Sequence, residues 1–361
     1  MRIDSFTAYL FFLFIIFSCS TEETISNVNQ TPIAETIYFP PNTSMEWETK
    51  SVSNLNWNEA ELLPLLDFLE EKNSKGFIIL HNGKIVVEQY FNGHTTNSPW
   101  YWASAGKTLT TATFGIAQDA GLVNTENRVS EYLGVNWTSL PLGKENLITC
   151  KHLLSMTSGL DDTLGESILP ENLQYVADAG TRWAYHNVYV KLQDVVSNAS
   201  SSTWNSYFNT QLKNKIGMSG QWIAQNDLNV YWSNTRSMAR FGLLMFANGN
   251  WNNTQLISEN YINNAINASQ NINEAYGYLW WLNGKNTYHL PQTQFTFSGS
   301  LIPNAPADMI AALGKNDQKI YIIPSRDLVI VRMGESADNV SFGLSTFDTD
   351  LWDKINAVIN D

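Results

Sequence analysis

Apolar positions along this chain change their spacing from segment to segment, and each spacing implies an element. Residues 76–91, G-F-I-I-L-H-N-G-K-I-V-V-E-Q-Y-F, form two β-rich runs around Asn82-Gly83. An Asn-Gly pair between such runs supplies the two positive φ angles of a type I′ turn, so the segment reads as a hairpin. Over residues 104–120 the period lengthens: Leu109, Ala112, Ile116 and Ala120 recur every three or four positions, and Gly121 follows as a stop. That spacing predicts a helix. After Lys107 it is apolar nearly all round, the pattern of a buried helix. An earlier helical pattern opens at Asn58, a predicted N-cap with Glu61 closing a capping box.

Residues 124–290 read mostly as helices and loops. Three β runs follow at 308–313, 319–323 and 328–333, with turns at 314–317 and 324–327, and a last helix fits about 347–360. There is no internal repeat. The order predicts an α+β fold: a five-stranded antiparallel sheet flanked by helices, with a helical lobe at about 124–290 inserted between its strands.

The first residues differ in kind. Arg2 precedes a dense apolar run at 8–17, too short to span a bilayer comfortably but suited to the core of a signal peptide. The run ends in I-F-S-C, which resembles a bacterial lipobox. The expectation is a signal peptide at 1–18, lipidation of Cys19 and a polar tether at 19–55 leading to a domain at 56–361. Two acyl chains suffice for firm membrane attachment, which would make this a lipid-anchored protein of the bacterial cell envelope, facing the periplasm or the cell surface.

Composition narrows the chemistry. Of 361 residues 43% are hydrophobic, enough for a large core, and the net charge of −13 comes with no basic block. Nucleic-acid binding needs clustered Lys and Arg, so that class is set aside. With Cys19 lipidated, Cys150 has no partner for a disulfide, and its apolar neighbours predict an inert core thiol. The five histidines (81, 94, 152, 186, 289) lack metal-ligand spacing, and His152 fits a structural place at a helix start. No metal or cofactor motif is present.

Two pairs of residues carry candidate chemistry. Ser104 and Lys107 are three apart in the first turn of the predicted buried helix, so their side chains lie within reach. An unpartnered ammonium entering a buried helix is costly. The alternatives are a first-turn serine beside a solvated lysine, or a nucleophile beside the group that manages its proton. In A-G-T-R-W-A-Y-H-N-V-Y, Tyr185 and Asn187 stand two apart and face one side of an extended segment.

Together, in this order, the motifs resemble those of the serine β-lactamase-related hydrolases: class C β-lactamases, DD-peptidases, esterases and 6-aminohexanoate-dimer hydrolases. The matching stretches are W-A-S-A-G-K-T, T-C-K-H-L-L-S-M-T-S-G-L, G-T-R-W-A-Y-H-N-V-Y-V, S-M-A-R-F-G-L-L-M-F-A-N-G-N-W, Y-G-Y-L-W-W and I-Y-I-I-P-S-R-D-L-V-I-V-R-M-G, spread over about residues 75–335. The resemblance implies that Ser104 attacks a carbonyl, that Lys107 and Tyr185 share the proton work, and that Asn187 orients Lys107. It also implies an oxyanion hole made by the backbone N–H groups of Ser104 and Lys315. Lys107 as amine and Tyr185 as phenolate remain alternative bases.

The chain departs from the lactamase pattern at A-A-L-G-K-N-D-Q-K, where no K-T-G or H-T-G triad stands. In lactamases and DD-peptidases that triad binds a substrate carboxylate. Its absence shifts the expectation to an ester or amide substrate handled through an acyl-enzyme, ahead of a true β-lactamase or DD-peptidase. The alternative from another class is an inactive relative that binds a cell-wall peptide. Trp100, Trp102, Trp183, Trp280 and Trp281 are candidate cleft-lining residues, with a core role equally open for the last two.

Overall fold

In a computed structural model, which describes residues 36–338 and 346–360, the Asn82-Gly83 hairpin forms one edge of the main sheet. Strand β1 (Ser74–His81) turns through Asn82 and Gly83, at φ 46° and 82°, into β2 (Lys84–Tyr90). The remaining strands are β3 (Trp281–Leu282), β4 (Ile310–Gly314), β5 (Gln318–Ile323) and β6 (Leu328–Gly334). All pairs are antiparallel, in the spatial order β2-β1-β6-β5-β4-β3. The α+β architecture is as predicted, but the sheet has six strands rather than five. The sixth, β3, pairs Trp281 and Leu282 with Ala311 and Ile310. Two residues are too few to show a period of two in sequence.

Helices cover both faces. On one side α1 (Leu62–Glu71) packs with the C-terminal helix α5 (Thr346–Ile359), where Phe68 stacks on Phe347 at 5.8 Å. On the other lies α4 (Thr235–Phe246); a Cβ added at Gly242 would come within 2.5 Å of a Val329 methyl, so this helix sits on the sheet at backbone range. Between these layers and the lobe runs α2 (Lys107–Asp119), in which every residue from Lys107 to Ala117 is buried. It packs against α3 (Tyr189–Ser200), joined by Gln193 Nε2 to Thr110 Oγ1 at 3.0 Å.

Three local readings change. No capping box forms at Asn58: its side chain accepts from Ala60 N, a 3₁₀ turn Glu59–Glu61 follows, and α1 starts only at Leu62. The backbone N–H that Glu61 would have satisfied is taken by Val358 O of α5 at 2.7 Å. The lobe is not purely helical; a hairpin of Gln221–Gln225 and Leu228–Ser233 pairs with Trp100–Tyr101. Residues 36–55 are no free tether. Trp47 is buried, donates from Nε1 to Gly83 O at 2.7 Å and lies under the Arg240 guanidinium at 5.1 Å. Lys50 N reaches Ile85 O at 2.8 Å. Polar composition hid a strap held by a few aromatic and backbone contacts.

Cys19 and the leader lie outside the described residues. Among those described, no helix is long and apolar enough to cross a membrane, and no group of three or more His, Cys, Asp or Glu is placed to hold a metal ion. Cys150 is buried, which pushes its thiol up to about 12, as expected of an inert core cysteine. His152 accepts from Thr149 N at 3.1 Å in the capping box of its own short helix.

If the strap is integral, Trp47→Ala empties a buried indole site and lowers unfolding free energy by about 3–5 kcal/mol. Urea denaturation followed by tryptophan fluorescence measures this; a free tether would leave the midpoint unchanged.

Candidate active site

Ser104 does not lie in the α-helix itself but in a 3₁₀ turn, Ala103–Gly106, that feeds α2. Ala103 enters the turn at φ 47°, a left-handed conformation that a non-glycine residue adopts at some cost. The turn is fixed from two sides. Trp102 N donates to Tyr231 O at 2.8 Å and Trp102 Nε1 to Ser233 Oγ at 2.8 Å, tying it to the lobe hairpin. Opposite stands Gly314, the last residue of β4. A Cβ there would fall 2.5 Å from Trp102 O and 2.9 Å from Ala105 N. Both are backbone atoms, which have little freedom to move aside.

Lys107, the first residue of α2, is 3% exposed. Its Nζ lies 2.9 Å from Ser104 Oγ and 3.1 Å from Asn187 Oδ1. The rings of Tyr185 and Tyr189 face it at 4.9 and 4.7 Å. Among the described residues no carboxylate is bonded to it, so desolvation dominates and lowers its pKa to about 7, against a weaker opposing pull from Glu166. The lysine is therefore largely uncharged slightly above neutral pH.

Burial pushes the Tyr185 phenol up to about 12, against a weaker opposing effect of the nearby Ser104. Behind it Trp281 stacks at 5.9 Å and Trp183 packs at 6.3 Å. Asn187 is oriented by its Nδ2, which donates to Glu166 O at 3.4 Å. Between them His186 is buried, its backbone N–H donating to Met156 Sδ at 3.3 Å, and burial lowers its pKa to about 4. Tyr185 and Asn187 thus both face Lys107, the shared side read from Y-H-N.

Four of the five predicted site residues, Ser104, Lys107, Tyr185 and Asn187, converge side by side. Lys315 follows Gly314 directly, which brings its backbone next to the serine turn, while its side chain is exposed. Of the tryptophans, Trp183 and Trp281 back Tyr185. Trp280 stacks on Phe241 in the core at 6.0 Å, and Trp102 is fully buried. Trp100 is half-buried and carries Lys75 over its ring at 5.2 Å. Two contributors were not foreseen. Tyr189 stands four residues beyond Tyr185, a spacing that could have flagged it; Glu166 lies in a loop with no pattern to mark it.

The beta-lactamase family model matches residues 72–345. The chain belongs to the beta-lactamase family. Membership places it among the serine hydrolases of that fold. A protein of Alkalihalophilus pseudofirmus, itself uncharacterized, is 24% identical over 294 residues, covering 70% of this chain and 81% of that one. Among solved structures, a Bacillus anthracis protein provisionally described as a 6-aminohexanoate-dimer hydrolase superposes with TM-score 0.68 at 17% identity, covering 90% of each chain. A family VIII carboxylesterase gives TM-score 0.61 at 14% identity over 83% of this chain and 97% of that one. These likenesses establish the shared fold.

Because Gly314 meets the serine turn backbone to backbone, Gly314→Ala should part the two segments while the core survives. The expected result is a folded protein by circular dichroism with hydrolytic turnover reduced about 10²-fold, the order of loss seen when one transition-state hydrogen-bond donor is displaced. Full activity in the alanine variant would mean that the close approach is dispensable.

Proposed function

We propose that the chain hydrolyses esters or amides through an acyl-enzyme on Ser104, with the neutral amine of Lys107 as general base. The observation that carries this is the 2.9 Å contact between a buried, carboxylate-free Lys107 Nζ and Ser104 Oγ. In the reactive state the Ser104 O–H donates to Nζ, and Oγ attacks the substrate carbonyl. The oxyanion of the tetrahedral intermediate is received by the N–H groups of Ser104 and Lys315, the first at the head of α2. Its collapse breaks the bond to the leaving oxygen or nitrogen, which takes the proton through Tyr185. Water, activated by the same amine, then releases the acid and restores Ser104. Tyr185, with a phenol near 12, acts as a proton relay, and Asn187 holds the amine in line.

The missing K-T-G favours esters and small amides over β-lactams. Short-chain p-nitrophenyl esters should therefore turn over faster than nitrocefin; lactamase-like nitrocefin cleavage would reverse the assignment. For location we propose a lipid-anchored envelope protein, a reading supported by the apolar run at 8–17 and the I-F-S-C that ends it. Cys19→Ala should abolish palmitate labelling in cells, and labelling that persists would remove the anchor.

Two kinetic outcomes test the mechanism. With Lys107 titrating at about 7, kcat/KM should rise tenfold per pH unit below that value and level off above it. A limb at pH 10 or higher would instead assign the base to the Tyr185 phenolate. Ser104→Ala and Lys107→Ala should each reduce kcat by about 10³-fold or more, with little further loss in the double variant, because the two side chains act as one unit. Lys107→Arg should fail as well, since a guanidinium does not release its proton.

A further inference from the structure

The turn that carries Lys315 between β4 and β5 is gripped from beneath by a fully buried arginine. Asn316 and Asp317 are successive residues in the left-handed region, at φ 60° and 58°, a conformation that non-glycine residues hold only when their surroundings impose it. Arg332 of β6 donates from Nη1 to Asn316 O at 3.1 Å and to Asp317 O at 2.9 Å. Its Nη2 donates to Lys72 O at 2.6 Å and Glu335 O at 3.1 Å, and its Nε to Ser74 Oγ at 3.0 Å. Every N–H of the guanidinium fork is thus used, and its face rests on Phe347 of α5 at 4.9 Å.

The charges around it balance. Lys319 Nζ lies 3.2 Å from Asp317 Oδ1 and 2.7 Å from Asp348 Oδ2, and Tyr321 donates to Asp348 as well. Asp317 Oδ2 accepts from Ala337 N at 3.0 Å. Two buried cations therefore lie among two buried anions, an arrangement that adds little stability over apolar packing, while loss of one partner would leave a buried charge uncompensated. From above, Asn316 Nδ2 donates to Tyr101 OH at 2.6 Å, three residues before Ser104, and Gln318 Nε2 donates to Asn316 O at 2.8 Å.

We propose that Arg332 is a positioning residue for the reaction: by clamping the carbonyls of Asn316 and Asp317 it fixes the turn that presents the Lys315 N–H to the substrate oxyanion. The proposal rests on the acyl-enzyme reading above. It concerns a side chain that touches neither substrate nor Ser104, and it makes α5, through Phe347 and Asp348, part of the support for the site.

The test compares an ester with its thionoester, whose sulfur is a poorer acceptor for oxyanion donors. Arg332→Lys, confirmed as folded by thermal melting, should lower kcat on the ester about tenfold or more with KM within about threefold, a smaller loss than outright removal of a donor. The ester-to-thionoester ratio of kcat/KM should fall by a similar factor, because a displaced donor discriminates less between oxygen and sulfur. A purely structural role would lower both substrates together and leave the ratio at the parent value. Should Arg332→Lys not fold, Ser74→Ala, which removes only the Nε contact, should move the ratio in the same direction by about threefold. A parent-like ratio in whichever variant folds overturns the proposal. A parent enzyme that neither labels with a fluorophosphonate nor cleaves any ester would remove the acyl-enzyme reading and this inference together.

Discussion

The end of β4 meets the turn carrying Ser104 with no room for a side chain between them, and much of the molecule serves that approach. A methyl group at Gly314 would strike two backbone atoms of the serine turn, so the spacing between sheet and turn is set by main chain alone. The sheet holds one side of this contact through β5 and β6. The lobe hairpin Gln221–Gln225 and Leu228–Ser233 holds the other by pairing with Trp100–Tyr101. Side-chain packing tolerates shifts of a few tenths of an ångström, and catalytic geometry much less, so a backbone contact is the apt place for the constraint. The strain accepted at Ala103, Asn316 and Asp317 lies on the two segments that meet there.

Legibility in the sequence followed the range of the interaction. The hairpin at Asn82-Gly83 was readable because positive φ is a property of two residues. Helix α2 was readable because its burial is complete and its repeat unbroken. The Ser104–Lys107 pair needed only helical spacing, and Tyr185 with Asn187 only the alternation of extended backbone. What escaped was set by distant partners. Asn58 lost its capping box because Val358, some 300 residues on, claimed its N–H. Strand β3 is two residues long and is defined by its pairing with β4, so it has no period of its own to read. Residues 36–55 are polar on average, and the few aromatics that fasten them do not alter that average.

Buried charge was legible only in part. Lys107 drew notice because it stood before an apolar helix. Arg332 sits in L-V-I-V-R-M-G with equal incongruity, yet its partners, chiefly carbonyls of other strands and turns, have no signature of their own. Asp348, in the final helix, is indistinguishable in sequence from its exposed neighbours. Such residues are read correctly only once the sheet has fixed who faces whom.

The burial of Lys107 also links folding to protons. In the unfolded chain this amine ionises near the usual 10.5, in the native site at about 7. Between those values the unfolded chain binds more protons than the native one at this residue, so its contribution to stability grows as pH rises through that window and is least favourable below it. In the proposed mechanism, deprotonation of the same group readies Ser104. At this residue rising pH removes a destabilising contribution, and under that proposal the same event arms the nucleophile, while acid protonates an amine to which no carboxylate of the described residues is bonded. Ordinarily a reactive group is kept at the expense of stability; in the proposed mechanism that tension relaxes as pH rises, because the form of Lys107 that serves as base is also the form that burial penalises least.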